Sequence, residues 1–202
     1  MLIVATMLWE PNENSFPFSR MYDESWVEKL YRGFKRHLTV PFEFICFTDK
    51  ERSFSEPIKQ ELIEGELNYG AYIEPFKMNE PMILVGLDTV IVGNIDHLAK
   101  YCEEASKLAV PRDPFFPETV CNGVALIPGG HGWVYEGHEG QNDMDYIRSL
   151  NVAVIDDLWP GEVVSFKGHV KDYGLEGARI VYFHGEQKPH ELNLEWIERE
   201  WV

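Results

Sequence analysis

Cysteine, basic charge and long apolar runs are all scarce in this sequence. Only three cysteines occur among the 202 residues, Cys46, Cys102 and Cys121, and none belongs to a CxxC pair. This spacing predicts buried free thiols in a reducing compartment rather than a disulfide framework. No apolar run approaches the roughly 20 residues that a membrane-spanning helix needs, and no basic leader precedes the apolar residues at the N-terminus. We therefore expect no membrane span and a cytoplasmic location.

Positive charge is outweighed nearly two to one. Lys and Arg together number 18 against 34 Asp and Glu, which gives a formal net charge of −16 at pH 7. Such a molecule repels smooth polyanions, so nucleic acid and anionic membranes are excluded as expected partners. A small anionic ligand is compatible with this charge only where local cations or a bound metal ion reverse the field.

Several common catalytic motifs are missing as well. The sequence contains no Gly-x-Ser-x-Gly, Walker or Gly-x-Gly-x-x-Gly pattern. Its histidines lack the i, i+4 helical spacing of zinc peptidases, which argues against a zinc site of that kind. Function must therefore be sought in other patterns.

Apolar segments alternate with polar loops along the whole chain. Residues 2–8 read as a buried strand, Asp23 as the N-cap of an amphipathic helix, and residues 42–49 as a second strand, together a βαβ unit. Further strands are expected at 58–63, 82–88 with 90–92, 108–110, 120–127, 163–166 and 180–183, and helices at 95–102 and 144–150. The fold class is α/β: an open, mixed but mostly parallel sheet flanked by helices, with a ligand crevice outside the strand carboxyl ends.

Polar residues follow several of these strands. Asp88 comes directly after an apolar strand, where it is either a ligand-facing acid or a residue capping its own turn. Asn122 is either a ligand contact or a strand-entry cap, and Asp143 and Asp145 are either site carboxylates or ordinary first-turn acids of a helix. Lys188 stands in a Gly-x-x-Lys-Pro turn, which favours a fixed position over a solvated one.

Four segments, in this order along the chain, resemble the motifs of glycosyltransferases with the GT-A fold, particularly family 8 and glycogenin-like enzymes. They are Met82–Asp96, similar to the strand with the Asp-x-Asp motif, Cys121–Leu126, Asn142–Ile147 and Ile180–His190, the last similar to the His-Phe-x-Gly-x-x-Lys-Pro-Trp box. The resemblance implies a single Rossmann-like domain over 1–202, with a nucleotide-binding half at 1–98 and a donor-sugar and acceptor half at 99–202.

The resemblance implies a hexosyltransferase-type enzyme of glycan biosynthesis. Its donor would be a nucleotide-diphosphate sugar, usually a uridine diphosphate (UDP) sugar, its acceptor a saccharide or glycan, and Mn²⁺ or Mg²⁺ would bridge the diphosphate. Lys188 would contact the diphosphate with the Gly185 backbone close by, and Asn122 would bind sugar hydroxyls. Asp143 would face sugar hydroxyls or the reaction centre, and Asp145 is the second candidate catalytic carboxylate.

The nucleotide side offers weaker candidates. Thr6, Asp49 and Lys50 follow or end the first two strands and are placed to meet base and ribose, while Arg20 would close over the phosphates from the loop 15–22. Each is also explained as an ordinary loop or strand-end residue.

Three positions depart from the family pattern. Gly86 occupies the first acid position of Asp-x-Asp, Met144 lies between Asp143 and Asp145 in place of Gln, and Tyr182 stands where the family has a metal-binding His. His184, on the same strand face as Tyr182, would supply an imidazole to a metal on Asp88, or else is a structural residue. Two alternatives follow: a catalytically weakened nucleotide-sugar or glycan-binding module with the same fold, and an interaction domain built on the Trp-rich tail, whose Trp196 and Trp201 we expect to pack on the core instead.

Overall fold

A seven-stranded sheet forms the centre of the structure, a computed structural model that describes all 202 residues. The ten strands of the protein are β1 Leu2–Leu8, β2 Phe42–Thr48, β3 Lys59–Leu62, β4 Met82–Val85, β5 Val90–Ile91, β6 Ala109–Val110, β7 Val124–Ile127, β8 Ala153–Val154, β9 Val163–Ser165 and β10 Ile180–Tyr182. The central sheet has the order β3-β2-β1-β4-β7-β6-β8, and only the two pairings of β7 are antiparallel. This confirms the predicted mixed, mostly parallel α/β fold.

Helices cover both faces of the sheet. They are α1 Glu24–His37, α2 Asp96–Glu104, α3 Gly132–Glu136, α4 Asp143–Ser149, α5 Ile155–Leu158, α6 Lys171–Tyr173 and α7 Glu195–Glu200, with a long 3-10 segment at Tyr69–Met78. Period-two alternation divides β1 between the faces: Val4 and Leu8 pack with α1 and α2, whereas Ile3, Ala5 and Met7 pack with α4 and the 3-10 segment. Two buried faces explain why β1 reads as an unbroken apolar run.

The first βαβ unit follows the sequence pattern closely. The Asp23 carboxylate accepts the Ser25 N–H at 3.0 Å and so caps α1. Helix α1 buries its apolar stripe, including Trp26 and Phe34, against β1 and β2, which pair in parallel. The helix is amphipathic, so most of its stability comes from this packing rather than from intrinsic propensity.

A smaller second sheet was not anticipated. After β4 the chain turns at Gly86–Asp88, so β5 leaves the central sheet and pairs antiparallel with β10, which pairs in parallel with β9. The expectation that 90–92 continues the strand of 82–88 is therefore wrong, because the turn at Asp88 separates them. The expected strand 120–127 begins only at Val124, and α3, β8 and α5 lie in stretches for which no element was expected.

The remaining expectations about the core are confirmed. Cys46, Cys102 and Cys121 are buried free cysteines, and burial raises the pKa of their thiols to about 12, about 12 and about 11. In the tail, Trp201 packs 4.8 Å from the ring of Trp26. None of the helices combines the length and apolar character that a bilayer crossing requires.

Candidate functional site

A cavity of about 260 Å³ opens where the carboxyl ends of β1 and β4 meet. Leu8 closes it from β1, the segment Val85–Asp88 from β4, and Asn122 with Gly123 from the entry to β7. Its walls are strongly aromatic, and the contributing rings are Trp9, Phe18, Tyr22, Tyr69, Tyr72 and Phe183. The cavity lies where parallel α/β sheets usually bind ligands, outside the strand carboxyl ends, as the sequence predicted.

A buried ion pair stands in the cavity wall. The Lys188 side chain is 3% exposed, and its ammonium donates a hydrogen bond to Oδ2 of Asp88, whose side chain is 11% exposed. The Tyr22 hydroxyl donates to the same oxygen at 3.0 Å. Burial, and then the neighbouring Asp88 charge, raise the pKa of Tyr22, so its hydroxyl remains a donor.

The turn before Lys188 fixes the position of this pair. Gly185 has φ +63° and Gln187 has φ +73°, so two of the three preceding residues lie in the left-handed region. That conformation is favourable for glycine but costs free energy at Gln187. The Lys188 N–H in turn donates to Glu191 Oε2 at 2.7 Å. The backbone thus holds the lysine against Asp88, which belongs to a strand end 100 residues earlier in the chain.

A second polar pair lies near the same cavity. The Asn122 amide, which lines it, donates to Oδ2 of Asp143 at 2.6 Å. Asp143 sits at the start of α4, and burial raises the pKa of its carboxyl although the Asn122 bond acts in the opposite direction. Asp143 therefore stands behind the wall and reaches the cavity through Asn122.

Tyr72 supplies a polar atom that no protein group satisfies. Its hydroxyl is buried in the cavity wall without a hydrogen-bond partner. Burial, with the charges of Asp143 and Asp88 adding to it, raises its pKa well above the ordinary value. A buried donor without a partner is costly unless a ligand or water completes it.

Sequence reasoning missed both Tyr22 and Tyr72. Tyr22 precedes α1 and Tyr72 lies in the 3-10 segment, so neither follows a strand or belongs to a recognised motif. The only signal was the abundance of aromatic residues in loops, which does not say which rings face a cavity.

Several predicted nucleotide contacts are engaged elsewhere. The fully buried Thr6 hydroxyl donates to the Val85 carbonyl at 2.9 Å and lies outside the cavity lining. Arg20 donates to the main-chain carbonyls of Ser15 and Asn12, at 3.3 and 3.4 Å, and so holds its own loop together. Neither side chain is directed at the Asp88–Lys188 pair.

The end of β2 is occupied by an internal ion-pair network. Asp49 accepts from Arg52 at 2.8 Å and from the Glu10 N–H at 3.1 Å, while Lys50 pairs with Glu10. Burial alone would raise the pKa of Asp49, but the hydrogen bonds from Arg52 and Glu10 outweigh it and lower that pKa. Asp145 is exposed on α4. The structure does not bring Asp49, Lys50 or Asp145 to the cavity.

The side chains expected to hold a metal do not form a ligand set. No three His, Cys, Asp or Glu side chains group together in a way that could bind an ion. His184 shares a hydrogen bond with the Ser165 hydroxyl at 2.8 Å, and burial followed by the nearby Lys167 charge lowers its imidazole pKa. The Tyr182 hydroxyl lies 3.5 Å from the Cys121 sulfur, and the Asp88 carboxylate already forms an ion pair with Lys188. The residues present therefore do not fit the implied Mn²⁺ or Mg²⁺.

Comparisons with known proteins identify the fold. No model of a protein family matches the sequence, and no curated protein matches it significantly. Among solved structures, the glycosyltransferase GlyE of Streptococcus pneumoniae TIGR4 superposes with a TM-score of 0.64 at 12% identity over 98% of this chain. The apo form of GlyE gives 0.57 at 14% identity over 93%, and the bifunctional glycosyltransferase WbbM gives 0.60 at 9% identity over 93%.

This chain is shorter than each of the three glycosyltransferase chains. This chain covers 58%, 46% and 55% of GlyE, WbbM and apo GlyE respectively, so it spans about half of each. Sequence identities of 9–14% support a common fold but do not establish membership of glycosyltransferase family 8. The chain therefore has the mixed α/β, GT-A-like fold of these glycosyltransferases.

Proposed function

We propose that this chain transfers a hexose from a nucleotide-diphosphate sugar, a UDP sugar, to a hydroxyl of a saccharide or glycan. The observation that carries the proposal is the cavity at the carboxyl ends of β1 and β4, which combines aromatic walls, the buried Asp88–Lys188 pair and the Asn122–Asp143 pair. Likeness in fold to three glycosyltransferase structures supports the same reading.

The two polar pairs suggest two halves of one ligand. Lys188 supplies the positive charge that a diphosphate requires in a molecule of net charge −16. Asn122 offers the amide group that sugar hydroxyls pair with, and Asp143 orients that amide. The aromatic walls offer apolar faces to a base and to the faces of a sugar ring.

In the transfer, the bond between the anomeric carbon and the β-phosphate oxygen breaks, and its electron pair stays with the nucleoside diphosphate. An acceptor hydroxyl oxygen forms the new bond to that carbon, and its proton passes to the released diphosphate or to water. Lys188 would stabilise the charge that develops on the leaving diphosphate, since a preorganised cation acts most strongly where water is excluded.

A second candidate is a module that binds nucleotide sugars without transferring them. Gly86 and Tyr182 favour it, because they stand where the resemblance implies an acid and a metal-binding His. Asp143 also stands behind the cavity wall rather than in it.

Calorimetric titration with UDP and with a panel of UDP sugars, combined with an assay of UDP release, separates these candidates. A transferase binds at least one UDP sugar and releases UDP, faster when a saccharide acceptor is added. Asn122→Ala should weaken UDP-sugar binding about tenfold and leave UDP binding within about twofold, because one hydrogen bond to the sugar is lost. Asn151→Ala, at an exposed asparagine that accepts from Lys107, is the matched control.

Binding without release of UDP, across donors and acceptors, would establish the binding module instead. Absence of binding to UDP and to every UDP sugar would refute both candidates.

A further inference from the structure

The acidic edge of the cavity offers a divalent ion a single carboxylate, that of Asp88. Gly86 leaves Asp88 as a single carboxylate on this turn, and a Cβ built at Gly86 would lie 3.1 Å from Asp88 Oδ1. A second acid at position 86 would thus bring its side chain beside Asp88, whereas glycine provides none. Tyr182 and His184 are occupied with Cys121 and Ser165.

A cation of the chain itself occupies this edge. Lys188 is buried against Asp88, and its Nζ lies 5.5 and 5.6 Å from the ring centroids of Phe18 and Tyr22. A divalent ion on the free oxygen of Asp88, Oδ1, would have to share the carboxylate with this ammonium, which is a like charge, and an ion on Oδ2 would have to displace it. The displaced charge would then remain buried without a partner, which is strongly unfavourable.

The ammonium also retains capacity for a ligand. An ammonium has three N–H donors, and Asp88 is the single hydrogen-bond acceptor that Lys188 Nζ contacts in the structure. Lys188 lines both the 260 Å³ cavity and a neighbouring one of about 720 Å³, which also exposes Lys167. Two donors thus remain for anionic oxygens that enter from either side.

We propose that Lys188 replaces the divalent metal, so that this chain binds a nucleoside diphosphate without any metal ion. This inference rests on the proposed function, since it specifies how the same cavity neutralises the diphosphate. Asp88 acts here as a positioning residue: it holds the ammonium at the strand end, and the left-handed turn at Gly185 and Gln187 fixes the lysine from the other side.

The test is calorimetric titration of UDP into the full chain, once in excess EDTA and once in millimolar Mn²⁺. We expect UDP to bind in EDTA and to bind at most about threefold more tightly in Mn²⁺, because the metal adds no contact. Binding at least about tenfold tighter in Mn²⁺ would overturn the inference and leave the proposed function standing. Absence of UDP binding under both conditions would instead refute the proposed function.

Variants test the lysine directly. Lys188→Met alone leaves the buried Asp88 carboxylate without a cation, with only the Tyr22 hydroxyl as a donor, so the double variant Asp88→Asn with Lys188→Met is the safer protein. We expect the double variant to fold and to bind UDP about 10- to 100-fold more weakly, the loss expected for charge-assisted hydrogen bonds, with no recovery in Mn²⁺. Lys100→Met, at an exposed lysine of α2, is the control. Unchanged UDP affinity in the folded double variant, or full recovery by Mn²⁺, would contradict the proposal.

Discussion

At the scale of single residues, the Tyr72 hydroxyl is the clearest vacant hydrogen-bonding group in the cavity wall. It is buried and has no partner, while Asp88 and Asp143 nearby each accept at least one hydrogen bond. The folded chain alone therefore gains nothing from this hydroxyl, and a ligand that accepts its hydrogen bond gains the interaction.

Tyr72→Phe should separate folding from binding. We expect the free energy of unfolding to stay within about 0.5 kcal/mol of the parent or to rise, because an unsatisfied polar atom is removed. UDP-sugar affinity should fall about three- to tenfold, as one hydrogen bond is lost. Denaturant unfolding and calorimetry measure the two quantities, and Tyr135→Phe, at an exposed tyrosine, is the control. A large loss of stability with unchanged affinity would show that the hydroxyl has a structural role instead.

Asp143 gives a prediction about pH. Burial raises its pKa in the folded state, so ionising it costs the folded state more than the unfolded state. The stability associated with protonated Asp143 is fully present below the ordinary Asp pKa of about 4 and is lost as the pH rises through the folded value. Asp143→Asn, which never ionises, should therefore melt at a higher temperature than the parent at pH 7.

The difference in melting temperature should shrink toward zero in acid, where the parent Asp143 is also neutral. Thermal unfolding of both proteins between pH 3.5 and 8 measures this dependence. Asp145→Asn, at an exposed acid of the same helical turn, should raise the melting temperature at pH 7 less than Asp143→Asn does, because its charge is only the smallest cause of the raised Asp143 pKa. Equal melting temperatures of Asp143→Asn and the parent at pH 7 would contradict the predicted cost of ionisation.

At the scale of elements, the loop 111–119 is held rigidly although it carries two exposed phenyl rings. Asp113 Oδ1 accepts from the backbone N–H groups of Phe115 and Phe116 at 2.9 and 3.1 Å. Phe115 then packs edge-on against His184, with ring centroids 5.4 Å apart. A further contact holds the loop, because Pro114 packs closely against Gly168.

Gly168→Ala should loosen this loop. A Cβ at position 168 would overlap the ring of Pro114, whereas one at Gly177 would meet no atom within 4 Å. We expect Gly168→Ala to destabilise the protein by about 1–3 kcal/mol, the usual cost of overpacking, and chymotrypsin to cleave faster after the exposed Phe115. Gly177→Ala is the matched control. Equal cleavage and equal unfolding free energies in the two variants would show that the loop does not depend on this contact.

Element prediction from sequence succeeded where local signals agreed. The apolar run of β1 and the capped, amphipathic α1 each determine their own structure, and both were located from the sequence. Helix α3 and strand β8 were missed because α3 has five residues in a glycine-rich stretch and β8 only two. Such short elements exist through tertiary pairing, which leaves little periodicity to detect.

At the scale of the whole molecule, the cavity shows where sequence reasoning stops. Asp88 was identified because it follows an apolar strand, Asn122 because it precedes one, and Lys188 because it stands in a Gly-x-x-Lys-Pro turn. The structure brings all three to one cavity. That Lys188 would bind Asp88 depends on bringing together residues 100 positions apart, which no local pattern encodes. The second sheet arises in the same way, since β5 and β10 pair only after the chain turns at Asp88.

The net charge of −16 leads to a prediction about nucleotide association. At long range the acidic molecule repels a UDP anion, whereas Lys188 attracts it only after it has entered the cavity. Salt screens interactions between exposed charges beyond about 10 Å at 0.1 M but screens buried pairs much less. Raising NaCl from about 0.02 to about 0.2 M should therefore increase the association rate constant of UDP, by roughly twofold or more, and change its dissociation rate constant little.

Stopped-flow measurement of tryptophan fluorescence can follow this reaction, because Trp9 lines the cavity. Uridine is the control: it carries no charge, so its association should not depend on salt. An association rate constant of UDP that falls with salt would contradict this prediction. It would mean that cations nearer the surface, such as Lys167 in the neighbouring cavity, attract the nucleotide rather than the single buried lysine.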